Sequence, residues 1–197
     1  MKDEKAVQKE RVSIFIDGNN FYYGCEDTIG THHIDFKKFI KNLAGNRQLV
    51  DTFYYNTNLD KSKDKATSEK QERFYTSLTK IGIKVVLCNF RKSWKNGHWD
   101  YNVKGDDVNL AVDMITNAVD DNYDTAILVS GDGDFLPLVR VIKDKFGKKV
   151  ENAIFKVNQS HDLRVLCQPN IIYMDNFISS CKRGVVTIPF FDKLFHP

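Results

Sequence analysis

The chain has 197 residues, 42% of them hydrophobic and 28% charged, with a formal net charge of +3. That length suits one domain with a substantial core and is short for two, and the composition is that of a soluble globular protein. No stretch approaches the length of a membrane span, the charged start MKDEKAVQKER lacks the apolar run of a secretory signal, and so small a net charge leaves any basic binding surface to local clustering.

Residues 1–11 read as a frayed or short helical lead-in. VSIFI (12–16) is a continuous apolar run with β-branched residues, as in a buried strand, and it ends at Asp17-Gly18. A polar loop is expected next. FKKFIKNLAG then shows helical spacing at Phe36, Phe39, Ile40 and Leu43 and stops at Gly45. LVDTFYYN (49–56) reads as a second strand and TNLDKSKDKAT as a solvated charged segment. A helix with Phe74, Leu78 and Ile81 on one face follows, then a third strand, IKVVLCNF (83–90). RKSWKNGHWDYNVK (91–104) is basic and aromatic, with the hairpin signal Asn96-Gly97 at its middle. DDVNLAVDMITNAV (106–119) is an amphipathic helix, TAILVS (125–130) a fourth strand, and Phe135 to Phe146 a helix stopped by Gly147. KKVENAIF (148–155) and IIYM (171–174) complete the strands, and the tail VVTIPFFDKLFHP is apolar enough to dock on the body. Strands alternating with helices over short connections predict one α/β domain, a three-layer α/β/α sandwich around a mainly parallel central sheet.

In such an open sheet, ligands bind in the crevice outside the carboxyl ends of the strands. Asp17 directly follows the first strand, and Asp132 and Asp134 follow the fourth within SGDGDF (130–135). Asp106 and Asp107 open the helix after the third strand and its hairpin. Five carboxylates from three separated segments are therefore expected on one rim. Each has a plainer reading too. Asp and Gly form turns, and Asp106, Asp107 and Asp132 suit helix N-termini. Asp113, inside its helix, is either a buried support or a surface residue. Crowded together, however, the acids raise one another's pKa unless a cation compensates. Oxygen donors without His or Cys select a hard cation, Mg²⁺ or Mn²⁺. Such a carboxylate-held ion hydrolyses phosphodiesters without a protein nucleophile. Cys25, Cys88, Cys167 and Cys181 form no C-x-x-C pair, which argues against zinc and for reduced thiols in a cytoplasmic protein.

The motifs IDGNNFYYG (16–24), KGDDVNLAVDM (104–114), ILVSGDGDFLPLVR (127–140) and GKKV (147–150), in this order and spacing, resemble the NYN domain, the LabA-like branch of the PIN-like nucleases. The resemblance covers residues 12–175, which it makes the domain, with 176–197 as a tail packed on it. It implies a PIN-like fold, a Mg²⁺- or Mn²⁺-dependent ribonuclease, and a catalytic and metal-holding set of Asp17, Asp107, Asp132 and Asp134. Asp107 matches the family's acid in K-x-x-D, whereas Asp106 stands where a hydrophobic residue is common. Asn20 matches a polar position expected to orient Asp17 or a bound phosphate. Asp106, Asp113 and Ser130 are expected in support.

The partner this implies is RNA, with no membrane association; a homo-oligomer is left open. Lys104 is placed to meet a phosphate beside the metal. Arg91, Lys92 and Lys95, interleaved with Trp94, Trp99 and Tyr101, offer charge for a backbone and faces for stacking unpaired bases. The plainer reading is a surface hairpin whose aromatics pack on the core. Two other functions fit part of the pattern. An aspartyl phosphatase would want a carboxylate where Asn19 stands. An RNA-binding or regulatory module on the same fold needs little or no catalysis.

Overall fold

The structure, a computed structural model, describes residues 9–57, 65–88, 91–95, 98–102 and 105–183, with the backbone alone for 65, 91–95 and 98–102. In chain order the elements are β1 (Arg11–Asp17), α1 (Gly18–Ile29), α2 (Phe36–Ala44), β2 (Gln48–Thr57), α3 (Lys65–Thr79) and β3 (Lys84–Cys88). A hairpin, β4 (Arg91–Lys95) and β5 (His98–Asn102), leads to α4 (Asp106–Val119) and β6 (Thr125–Val129). Then come α5 (Leu136–Phe146), β7 (Lys149–Ile154), α6 (His161–Cys167) and β8 (Ile171–Tyr173).

Six strands form one sheet in the order β3-β2-β1-β6-β7-β8, and every neighbouring pair is parallel. From β1 the chain steps outward through β2 to β3, then returns to the other side of β1 and steps through β6 to β8. Right-handed crossovers running in opposite directions leave their helices on opposite faces. The side chains of β1 show both faces, because alternate residues of a strand point opposite ways. Val12, Ile14 and Ile16 join a core with Phe21 and Cys25 of α1, Phe39 of α2 and Leu78 of α3. Phe15 joins the other core with Leu110 and Met114 of α4, Val139 of α5 and Leu163 of α6, and stacks on Phe53 at 5.1 Å. The expected three-layer α/β/α sandwich is therefore the observed one.

Two helices differ from the sequence reading. The expected polar loop after β1 is α1, and α6 follows β7 where no element was expected. The reason in α1 is its glycines, which hide the amphipathic pattern. A Cβ on Gly18 would lie 2.5 Å from the Tyr55 carbonyl oxygen, and one on Gly24 would lie 2.1 Å from the Phe155 ring. These positions bury backbone where a readable pattern would show apolar side chains. Asp17 caps the start of α1, and Gly30, in the left-handed region at φ 68, ends it.

After β8, a short 3₁₀ turn (Ile178–Cys181) buries Ile178 and Cys181 in the first core. The rest of the expected tail, 184–197, and most of the expected lead-in, 1–8, lie outside the described residues. No helix of the described residues is long and apolar enough to cross a membrane.

Candidate active site

β1 and β6 pair from Val12 with Thr125 to Ile16 with Val129, so Asp17 and Ser130 both stand one residue beyond the paired segment. Between these two strands the chain's direction of travel across the sheet reverses. An open α/β sheet leaves its crevice at such a switch point. Asp17 is buried there and both its oxygens are held. Oδ1 accepts the Asn20 backbone N–H at 3.1 Å, and Oδ2 accepts the Ser130 hydroxyl at 2.9 Å. Burial pushes its carboxyl above the ordinary range, the two hydrogen bonds pull it back, and Asp106 and Asp132 push it further up.

Ser130 serves the next acid as well, since its Oγ accepts the Asp132 N–H at 3.1 Å. Asp132 in turn accepts the Asp134 N–H at 2.9 Å and caps the 3₁₀ turn (Gly133–Phe135) that enters α5. The turn-forming role of Asp132 is thus present, although for this 3₁₀ turn and not for α5 itself. The glycines of SGDGDF answer to close packing. A Cβ on Gly131 would lie 1.9 Å from the Asn158 carbonyl oxygen, and one on Gly133 would lie 2.9 Å from Ser160 Oγ. The segment after β7 is tied to this loop, with the Ser160 N–H donating to the Gly131 carbonyl at 2.8 Å.

α4 brings the remaining pair. Its cap residue is Gly105, at φ 133, with no side-chain cap bond, so Asp106 and Asp107 sit in the first turn with neither acting as the cap. Asp106 Oδ2 accepts from Asn19 Nδ2 at 3.2 Å and from Thr57 Oγ1 at 3.4 Å. Asp107 keeps solvent access, yet its carboxyl is pushed up to about 6. Partial burial is the largest cause, followed by Asp17, Asp106, Asp132 and Asp134, all acting in one direction.

The rim therefore collects Asp17, Asp106, Asp132 and Asp134 within electrostatic reach of Asp107, with Ser130 and Asn20 among them. Asn20 supports Asp17 through its backbone N–H; its side chain instead accepts the Gly131 N–H at 3.0 Å and joins α1 to the SGDGDF loop. Asp113 stands apart: its Oδ2 accepts the Tyr55 hydroxyl at 3.0 Å and ties α4 to β2. Lys104 lies outside the described residues, and Arg91, Lys92, Trp94 and Lys95 lie on β4, where only the backbone is described, antiparallel to β5 with Trp94 opposite Trp99. Among the described residues, no group of three or more His, Cys, Asp or Glu side chains is arranged to hold a metal ion. The donor set itself, oxygen-only and crowded enough to raise Asp107, fits a hard dication.

Thr57, Asn158 and Ser160 belong to this rim without having been expected there, and Asn19, which the sequence marks only as the residue that argues against an aspartyl phosphatase, belongs to it too. Their signal was available. Thr57 ends β2, and Asn158 and Ser160 follow β7, so the carboxyl-edge rule that located the acids applies to them equally.

The fold and the gathered acids define an α/β domain with an acidic crevice at its switch point. Residues 11–175 match the NYN domain, and the chain belongs to that family. It is 29% identical over 146 residues to the Low amplitude and bright protein LabA of Synechococcus elongatus, across 71% of this chain and 72% of that protein. It is also similar to the crystal structure of a protein of unknown function from Vibrio parahaemolyticus. That likeness has a TM-score of 0.69 and 28% identity over 88% of this chain and 98% of the other.

Proposed function

We propose that this chain is a Mg²⁺- or Mn²⁺-dependent ribonuclease that hydrolyses phosphodiester bonds of single-stranded RNA at the acidic rim. The observation that carries the reading is the convergence of five carboxylates from three chain segments, close enough that four of them raise the Asp107 carboxyl. Asp17, Asp107, Asp132 and Asp134 would hold the ion. When bound, it supplies charge that neutralises these acids and stabilises negative charge building on the phosphoryl oxygens. Ser130 and the Asn20 N–H fix the Asp17 carboxylate from both sides, so its direction is set before any ligand arrives. Asp106, held by Asn19 and Thr57, fastens the start of α4 to the start of α1 and the end of β2, which positions Asp107. Lys104 would meet a phosphate, and Arg91, Lys92, Lys95 and Trp94 would grip the RNA strand. Four buried free cysteines suit a reducing compartment, the cytoplasm.

One observation favours a second reading, an RNA-binding or regulatory module with little catalysis. Asp17, Asp106 and Asp132 all turn an oxygen toward a protein donor, and among the described residues no three His, Cys, Asp or Glu side chains are arranged to hold one metal ion. Incubation of purified protein with labelled single-stranded RNA separates the two. Cleavage with Mg²⁺ or Mn²⁺ that stops in EDTA supports the nuclease. Binding without cleavage under any metal supports the module, and cleavage confined to small phosphomonoesters points to a phosphatase.

A further inference from the structure

A net charge of only +3 leaves a basic surface to local clustering, and one such cluster lies outside the acidic rim. α2 turns Phe36, Phe39, Ile40 and Leu43 into the first core, which leaves Lys37, Lys38 and Lys41 exposed on its outer face. The segment after β8 brings two more exposed cations, Lys182 and Arg183, beside them. The Asp35 N–H donates to the Cys181 carbonyl at 2.8 Å, and the Arg183 N–H donates to the His33 carbonyl at 2.9 Å. Between these bonds Lys182 pairs antiparallel with Ile34, and Lys38 Nζ donates to the Ser180 carbonyl at 2.7 Å.

Five cations thus meet on one surface, and no acid answers them. Asp35 caps α2 by accepting the Lys38 N–H at 3.1 Å. Among the described residues, no carboxylate forms a salt bridge with any of the five cations. Elsewhere cations are paired, Arg11 with Asp124 and both Arg47 and Lys149 with Glu151. The placement also works against the helix. Lys37 and Lys38 stand in a first turn that carries no acid, and a helix N-terminus disfavours cations. Lys37 and Lys41, four residues apart, repel on one helix face. An anionic partner would reverse both penalties.

The cluster is near enough to the rim to share one ligand with it. Phe36, next to Lys37, packs on Phe21 of α1 with ring centroids 5.6 Å apart, and Asp17 caps the start of α1. Packed helices lie about 8–10 Å apart, so the cluster stands one such spacing beyond the helix that starts at the acids. We infer that Lys37, Lys38, Lys41, Lys182 and Arg183 form a phosphate-contacting surface that holds the RNA backbone outside the crevice. The inference rests on the ribonuclease reading, since RNA is the polyanion which that reading brings to the rim. Lysine and arginine neutralise phosphates without reading bases, so the surface adds affinity without sequence preference. It acts only on strands long enough to leave the crevice.

The test compares binding of labelled single-stranded RNA of about four and about sixteen nucleotides, in EDTA so that cleavage does not intervene. The variant combines Lys37→Ala, Lys41→Ala and Lys182→Ala, and it should melt no lower than wild type. It should bind the longer RNA at least tenfold more weakly at about 0.1 M salt. Its salt slope should fall by roughly 2, since each lost contact to a single strand is worth about 0.7. The shorter RNA should bind as before, and Lys37→Arg, Lys41→Arg and Lys182→Arg together should keep wild-type binding. If the alanine variant binds the longer RNA with wild-type affinity and slope, the inference is wrong, while metal-dependent cleavage would still uphold the ribonuclease. An equal loss for both lengths overturns it too, because the lysines then act at the rim. Loss of binding to phosphatidylserine vesicles with RNA binding unchanged would assign the surface to a membrane instead. Lysine-dependent RNA binding without cleavage under any metal would keep the surface and overturn the ribonuclease reading. If wild-type protein binds RNA of neither length, both fall.

Discussion

At the two edges of the central sheet, acids stand in opposite electrostatic settings. Along the amino edge, where β1, β6 and β7 begin, carboxylates meet bases. Asp124 accepts the Arg11 backbone N–H at 2.8 Å and its guanidinium at 2.7 Å, while Asp121 joins Arg11 at 3.1 Å and Lys148. Glu151 lies between Arg47 and Lys149, each at 2.8 Å. Arg11 holds the Asp124 carboxyl below its ordinary range, and Lys148, then Arg11, do the same for Asp121. Along the carboxyl edge the neighbours of acids are other acids, and burial and repulsion raise Asp17 and Asp107. Among the described residues, one edge pairs its acids with bases and the other gathers acids whose repulsion a dication would relieve, and such perturbed groups in a cleft mark functional sites.

The largest expected effect separates the edges by activity. Asp17→Asn and Asp107→Asn should each reduce RNA cleavage at least about a hundredfold, the scale of losing a group that organises transition-state charge. The metal-free variants should melt no lower than wild type, because like-charge repulsion is relieved. Asp124→Asn should do the reverse, keeping cleavage and lowering the melting temperature. Wild-type turnover by Asp107→Asn would erase the contrast.

Metal should act on one edge alone. At roughly a hundred times its Kd, Mg²⁺ or Mn²⁺ should stabilise the wild type by about 2.7 kcal/mol. Calorimetry should show that rise blunted in Asp132→Asn and intact in Asp124→Asn. An equal rise in both would place the ion elsewhere.

Gly131→Ala sharpens the comparison sterically. Its Cβ would meet the Asn158 carbonyl oxygen at 1.9 Å, and overpacking of this kind costs about 1–3 kcal/mol. The displaced loop carries Asp132, so chemical denaturation and cleavage should both register the change. Unaltered stability would mean that the segment after β7 yields freely.

The smallest effect is on pH. Asp107 is pushed from an ordinary 3.8 up to about 6, so its proton binds more tightly in the folded state. Metal-free protein should therefore gain stability as pH falls through about 6, with the gain complete below 3.8. Asp121 and Asp124 act oppositely: their stabilisation is present above the ordinary carboxylate value and is lost as pH falls through their depressed values. Melting temperature against pH should rise on mild acidification in wild type, and the rise should be smaller in Asp107→Asn, where the Asp17 carboxyl is still raised.

Much of this architecture was readable from residue pattern. Short, largely apolar runs rich in β-branched residues, such as VSIFI and TAILV, read as strands covered on both faces, and the strand-then-acid order puts Asp17 and Asp132 at one edge. α4 was legible to its ends because its apolar positions keep helical spacing from Leu110 to Ala118. α1 was not, because what it packs with is glycine backbone, and a missing side chain leaves no mark in a periodicity.

By itself, then, the chain's pattern determined the sheet, its two covering layers and the edge where carboxylates gather, since all three follow from local periodicity and strand ends. Tertiary structure decided how those carboxylates are held. Asn20 turned its side chain to Gly131 rather than Asp17, Asp113 turned to Tyr55 and away from the rim, and Asn19 and Thr57 came to hold Asp106. Each of these pairings joins residues from separate elements, whose meeting depends on the crossing of helices over the sheet. Hydrogen bonds act over about 3 Å, and no sequence spacing resolves a distance that short between distant segments.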